Sequence, residues 1–113
     1  MIVFPNAKIN IGLRVTSKRP DGFHEIESVF YPIGWRDVLE VQEADQLEFI
    51  STGIDIPGDK LNNLCIKAYG IIKEAYDIPF VKIHLHKNIP IGAGLGGGSS
   101  DGAFMIRALD KLF

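Results

Sequence analysis

Residues Pro90–Ala103 read PIGAGLGGGSSDGA, and five of the seven residues from Gly92 to Gly98 are glycine. The flanking segments say what this run connects. Upstream, Val81, Ile83 and Leu85 alternate with Lys82, His84 and His86, the period of a half-buried strand. Downstream, Ala103, Ile106, Leu109 and Phe113 recur at helical spacing, with Ser99, Ser100 or Asp101 expected as the cap. The glycines therefore join a strand to the start of a helix.

That placement has a chemical consequence. The first turn of a helix leaves N–H groups without intrahelical partners and carries partial positive charge, so an anion is favoured there. Glycines let a loop wrap closely around the anion, and the Ser99 and Ser100 hydroxyls can donate to a phosphate or ligate its Mg²⁺. A phosphate cradle is the expectation; the alternative is a flexible loop or a close helix–strand crossing. GAGLGG satisfies the dinucleotide-binding pattern, but an acidic residue should follow about 20 positions on, and the sequence ends before one could appear. A Walker A loop needs Lys directly before the Ser/Thr, where Gly98 stands.

Composition narrows the class of protein. With 113 residues, 46% of them hydrophobic, the chain is long enough for one ordinary core, and a single domain over residues 1–113 is expected. Twelve Lys and Arg against 14 Asp and Glu give a net charge of −2, which offers no general attraction to nucleic acid or an anionic membrane. Cys65 is the sole cysteine, so neither an internal disulfide nor a multi-cysteine metal site can form within one chain, and a reducing cytoplasm is expected. No run of about 18 apolar residues occurs, and MIVFPNAKIN is too short an apolar run for a signal peptide.

Further patterns fill in the rest. From Lys8 to Thr16, Ile9, Ile11, Leu13 and Val15 alternate with polar residues or glycine, predicting a strand. RPDGF, with Asp21 as a turn former, predicts a turn, and the extended segment HEIESVFYPI follows. Val38–Val41 and Leu47–Ile50, joined through QEADQ, predict two short strands in an antiparallel pair. Leu64, Ala68, Ile71, Ile72 and Ala75 predict a helix of about a dozen residues capped by Asn62 or Asn63. His84 and His86 have the i, i+2 spacing of metal ligands but read as the polar face of their strand.

Two separated segments carry a family resemblance. PNAKINIGLRVTSKRPDGFHEIESVF, from Pro5 to Phe30, and IPIGAGLGGGSSDGA, from Ile89 to Ala103, resemble the first two motifs of the GHMP kinase superfamily. The PDG-aromatic-HE element and the triple glycine before SSD resemble the branch that phosphorylates 4-diphosphocytidyl-2-C-methyl-D-erythritol in the non-mevalonate route to isoprenoid precursors. The resemblance implies an α+β fold in which a mixed sheet is packed by helices, similar to ribosomal protein S5 domain 2. It also implies a left-handed β-α-β crossover, against the general right-handed preference.

The same resemblance implies roles for individual residues. Lys8, in AKIN, is expected between the substrate hydroxyl and the transferred phosphate, where an ammonium can acidify the hydroxyl and stabilise developing charge. Asn10, on the same strand face, is expected to hydrogen-bond substrate, and Phe23, His24 and Phe30 to form the cytidine pocket. The branch often has Tyr at the position of Phe23, so a ring remains here without its hydroxyl. ATP with Mg²⁺ is the expected cofactor pair; no metal ligands are assigned. Lys87, Pro90, Gly92, Ala93, Gly94, Leu95, Gly96, Gly97, Gly98, Ser99 and Ser100 are the expected ATP-binding residues. Asn63 and Leu64 resemble a pair near the adenosine, and Asp101 is read as a helix cap or a partner of the helix dipole.

One expected element is missing from the sequence. In the family the carboxylate that takes the hydroxyl proton lies in a GADVPFF-like segment after the second motif, and no such segment occurs in these 113 residues. The resemblance thus implies the N-terminal portion of a longer kinase, inactive in isolation. Two other readings stand beside it: a different GHMP small-molecule kinase, or a non-catalytic nucleotide-binding module. A dinucleotide oxidoreductase would require NAD binding.

Overall fold

The computed structural model describes residues 1–18 and 24–113, with side chains described for residues 1–11 and 29–113. Among the described residues, six strands and two α-helices follow in the order β1 (Ile2–Val3), β2 (Asn6–Lys18), β3 (His24–Arg36), β4 (Val38–Glu43), β5 (Glu48–Gly53), α1 (Leu64–Tyr76), β6 (Val81–Lys87) and α2 (Gly97–Leu112). A short 3₁₀ turn, Lys60–Asn62, leads into α1. The RPDGF turn lies outside the described residues.

β2 and β3 form a two-stranded antiparallel ribbon, and the other strands form a mixed sheet in the order β1-β4-β6-β5. The expected pairing of β4 with β5 is not formed, because β6 lies between them, antiparallel to β4 and parallel to β5. The reason is burial: β6 hides Val81, Ile83, Leu85 and Lys87, so it takes the centre of the sheet and needs a partner on both edges. Parallel β5 and β6 cannot be joined by a tight turn, and α1 supplies the crossover.

Both helices pack on one face of this sheet. The core joins Leu39 and Val41 of β4, the inward residues of β6, Cys65, Ala68 and Tyr69 of α1, and Met105, Ala108 and Leu109 of α2. α1 begins as the sequence predicts: Asn63 is its N-cap, and its side-chain oxygen accepts from the Cys65 N–H at 2.8 Å. Ile71, placed by spacing on the inner face, is exposed, and Tyr69 is buried instead.

α2 departs further from expectation. Its cap is Gly96 in a left-handed conformation, with no side-chain hydrogen bond, so none of Ser99, Ser100 or Asp101 caps it. Its inner face is Asp101, Met105, Ala108 and Leu109, while Ile106 and Phe113 are exposed. The sequence pattern missed this rotation because a carboxylate, Asp101, occupies a core position that spacing would give to an apolar residue. No helix among the described residues is long and apolar enough to cross a membrane.

Candidate functional site

The loop between β6 and α2 is wound by alternate glycines: Gly92, Gly94 and Gly96 have φ of 72°, 74° and 69°. Such angles are costly for residues with a Cβ. Because the first intrahelical bond of α2 runs from the Ser100 N–H to the Gly96 carbonyl at 3.0 Å, the amides of Gly97, Gly98 and Ser99 have no intrahelical acceptor. They line, with the loop, a cavity of about 320 Å³ to which Ile56, Leu64, Lys87 and Asp101 also contribute. This is the low end of the roughly 300–1,000 Å³ range of small-molecule sites, a size suited to a chain of phosphates. A larger apolar cavity of about 790 Å³ lies elsewhere, between the C-terminal ends of α1 and α2.

β2 brings Lys8 against this loop. The Lys8 N–H donates to the Leu95 carbonyl at 2.9 Å. Its side chain crosses Gly96 so closely that a Cβ there would stand 2.8 Å from Lys8 Cε. Beyond the glycine the ammonium lies 4.5 Å from the centre of the Phe30 ring. Phe30 reaches that position because it pairs across the ribbon with Asn10, two residues from Lys8. Residues directly opposite in an antiparallel pair share a face, so Lys8, Asn10 and Phe30 gather at the mouth of the glycine loop.

Lys87 has a different environment from the one expected of a phosphate ligand. Its side chain is 3% exposed, and its ammonium donates to Asp37 Oδ2 at 2.7 Å and to Asp101 Oδ2 at 2.9 Å. Asp37, just before β4, also accepts from the N–H groups of Asn88 and Ile89 at 2.8 and 2.9 Å. Burial acts to raise the Asp37 carboxyl, but hydrogen bonds from Asp101, Lys87 and the two backbone amides outweigh it and hold it below its ordinary value. Burial lowers Lys87, and the two carboxylates more than reverse that. Asp101 moves the other way: burial, reinforced by Asp37 and opposed by Lys87, pushes it up to about 8. Its Oδ1 is buried without a hydrogen-bond partner.

The remaining candidates sort as follows. Leu64 lines the cavity, whereas Asn63 is engaged as the cap of α1. Ser99 is exposed and Ser100 half-buried, both in the first turn of α2. Phe23 lies outside the described residues; the backbone of His24 opens β3, and its side chain is outside them. His84 Nε2 and His86 Nδ1 both meet the Thr52 hydroxyl, at 2.9 and 2.8 Å, on the exposed side of the sheet. Sequence reasoning missed Asp37 altogether. Its only signal was an acid between two strand-like runs, which reads as a bend.

Comparison with known proteins agrees with this architecture. The family described as GHMP kinases N terminal domain matches residues 63–113. A 4-diphosphocytidyl-2-C-methyl-D-erythritol kinase of Cytophaga hutchinsonii is 59% identical over 113 residues, all of this chain and 42% of the relative. The enzyme of the same name from Parabacteroides distasonis is 56% identical, with 99% of this chain and 41% of the relative covered. A crystal structure of 4-(cytidine 5'-diphospho)-2C-methyl-D-erythritol kinase superposes with a TM-score of 0.86 at 38% identity, covering 100% of this chain and 41% of that one. A mevalonate kinase structure, 19% identical with a TM-score of 0.65 over 99% of this chain and 40% of its own, shares the fold. The chain thus spans about two fifths of the length of the curated relatives it matches. The residues that form α1, β6, the glycine loop and α2 are thus the ones that match the GHMP kinase N-terminal domain.

Proposed function

We propose that this chain carries the phosphate cradle and the substrate-facing lysine of an ATP-dependent kinase acting on the 2-hydroxyl of 4-diphosphocytidyl-2-C-methyl-D-erythritol. The meeting of Lys8 with Gly96 and Phe30 carries the reading, because it sets one ammonium between a loop suited to anions and a ring suited to a base. The activity for which the relatives are named supports the substrate. In this reading the amides of Gly97, Gly98 and Ser99, with the Ser99 and Ser100 hydroxyls, hold the phosphates, and the loop from Pro90 to Gly96 encloses them.

Lys8 stabilises the charge that develops as the hydroxyl approaches the phosphorus, Asn10 orients the substrate, and Phe30 with Phe23 and His24 receives the cytosine. The glycine cradle fits a triphosphate, since the amides of Gly97, Gly98 and Ser99 lack intrahelical acceptors and border a cavity of about 320 Å³. Bound ATP supplies the transferred phosphoryl group, and Mg²⁺ neutralises its oxygens. No group of three or more His, Cys, Asp or Glu among the described residues could hold a metal, so phosphates, water and the serine hydroxyls would supply most of the magnesium ligands. A single domain in a reducing cytoplasm, where the buried free Cys65 stays a thiol, belongs to the same reading.

Calorimetric titration of the chain with MgATP and with the cytidylated substrate tests it. The expected outcome is saturable binding of both, with Lys8→Ala weakening the substrate. Absence of ATP binding, or preference for an alcohol lacking the cytidyl group, would overturn it. A second reading, a nucleotide-binding module without turnover, draws on the same glycine loop and its unpaired first-turn amides. ATP binding with no phosphoryl transfer from the same protein would favour it.

A further inference from the structure

Beneath the glycine loop, Asp37, Lys87 and Asp101 bring together the start of β4, the end of β6 and the second turn of α2. We propose that Lys87 is a positioning residue for the phosphate cradle, its ammonium fixing the start of α2 and the loop before it against β4 and β6 without touching phosphate. The inference rests on the nucleotide reading above and changes the role expected of this lysine.

Three features carry it. The ammonium is buried, and two of its three N–H bonds are committed to carboxylates at 2.7 and 2.9 Å. Gly97, the first residue of α2, lies so close that a Cβ would stand 2.9 Å from Lys87 Nζ, so the backbone of the cradle rests on the ammonium. Asp37, held by the same ammonium, anchors the amides of Asn88 and Ile89, which lead into the loop. Removing Lys87 therefore loosens the cradle from below and from its entry strand together.

Charge points the same way: a lysine turned toward a bound phosphate would leave Asp37 and Asp101 buried without their cation.

The test uses the 113-residue chain as wild type, Lys87→Met and Asp101→Asn. Amide hydrogen exchange is read at Lys8 and Ser100, whose N–H groups bond to Leu95 and Gly96, and ATP affinity by calorimetry. In Lys87→Met, exchange at both amides should accelerate about tenfold while Lys67 in α1 is unchanged, and ATP should weaken about tenfold. Asp101→Asn, which keeps an acceptor oxygen for Lys87, should keep wild-type exchange and affinity. If Lys87→Met does not fold, Asp101→Ala decides, since it frees α2 while leaving Asp37 with Lys87; it should accelerate exchange at both amides.

Unchanged exchange at Lys8 and Ser100 would overturn the proposal, and weakened ATP binding with unchanged exchange would make Lys87 a direct ligand. Wild type that binds no ATP would sink the nucleotide reading, while the exchange arm still decides the positioning role.

Discussion

The Lys8 side chain lies across Gly96 at a distance that leaves no room for a methyl group: a Cβ there would stand 2.8 Å from Cε and 3.1 Å from Nζ. Gly94 has nearly the same backbone, φ 74° against 69°, but open space where its Cβ would be. Alanine at either position should therefore cost about 1–2 kcal/mol for the left-handed backbone. Only Gly96→Ala should also displace Lys8. Urea unfolding of the two variants should show similar losses, while affinity for the cytidylated substrate should fall several-fold more in Gly96→Ala. Equal substrate affinity in the two would mean that the Lys8 placement does not matter to binding.

Phe30 offers its ring to the Lys8 ammonium at 4.5 Å while remaining 63% exposed. An exposed cation–π pair is worth about 0.5–1 kcal/mol, so Phe30→Leu should barely alter folding stability. Under the proposed function it should weaken a cytidine diphosphate ligand by several-fold, because the stacking face is lost, and leave ATP affinity unchanged. A parallel loss for both ligands would place the ring outside the base pocket.

Asn63 caps α1 through the Cys65 amide, and nothing in that geometry requires a nucleotide. Asn63→Ala should cost about 1 kcal/mol of stability by the usual worth of such a cap, measured by thermal or urea unfolding. ATP affinity of the folded protein should stay within twofold. A tenfold weakening of ATP with unchanged stability would assign Asn63 to the adenosine site instead.

These contrasts mark what the sequence could and could not reveal. The strand–glycine–helix order and the α1 cap were legible, because periodicity and cap chemistry are local signals, whereas the grouping of Lys8 with the glycine loop came only through the family resemblance. The position of β6 between β4 and β5 was not, since the residues that make it central pair with strands 34–48 positions away by the registers observed. Nor was the inner face of α2: Asp101 is buried there only because Lys87 and Asp37 meet it, and no local pattern announces a three-body contact. Asp37 left no trace for the same reason. Its importance lies in two backbone amides more than 50 residues distant.

Asp101 also predicts how stability depends on pH. Its folded-state pKa is raised from 3.8 to about 8, so the folded protein holds a proton that the unfolded chain releases between those values. Its stabilising contribution is thus complete below 3.8 and is lost as pH rises through about 8, at up to about 1.4 kcal/mol per pH unit for a single proton. Asp37, held low, acts in the opposite sense, and only as pH falls below 3.8. Between pH about 4 and about 8 wild type should therefore lose stability as pH rises, and Asp101→Asn, which keeps an acceptor for Lys87 but cannot ionise, should lose markedly less. Urea midpoints measured across that window decide the matter. Parallel slopes for the two proteins would mean that Asp101 is ionised throughout, and Lys87 would then sit between two full negative charges.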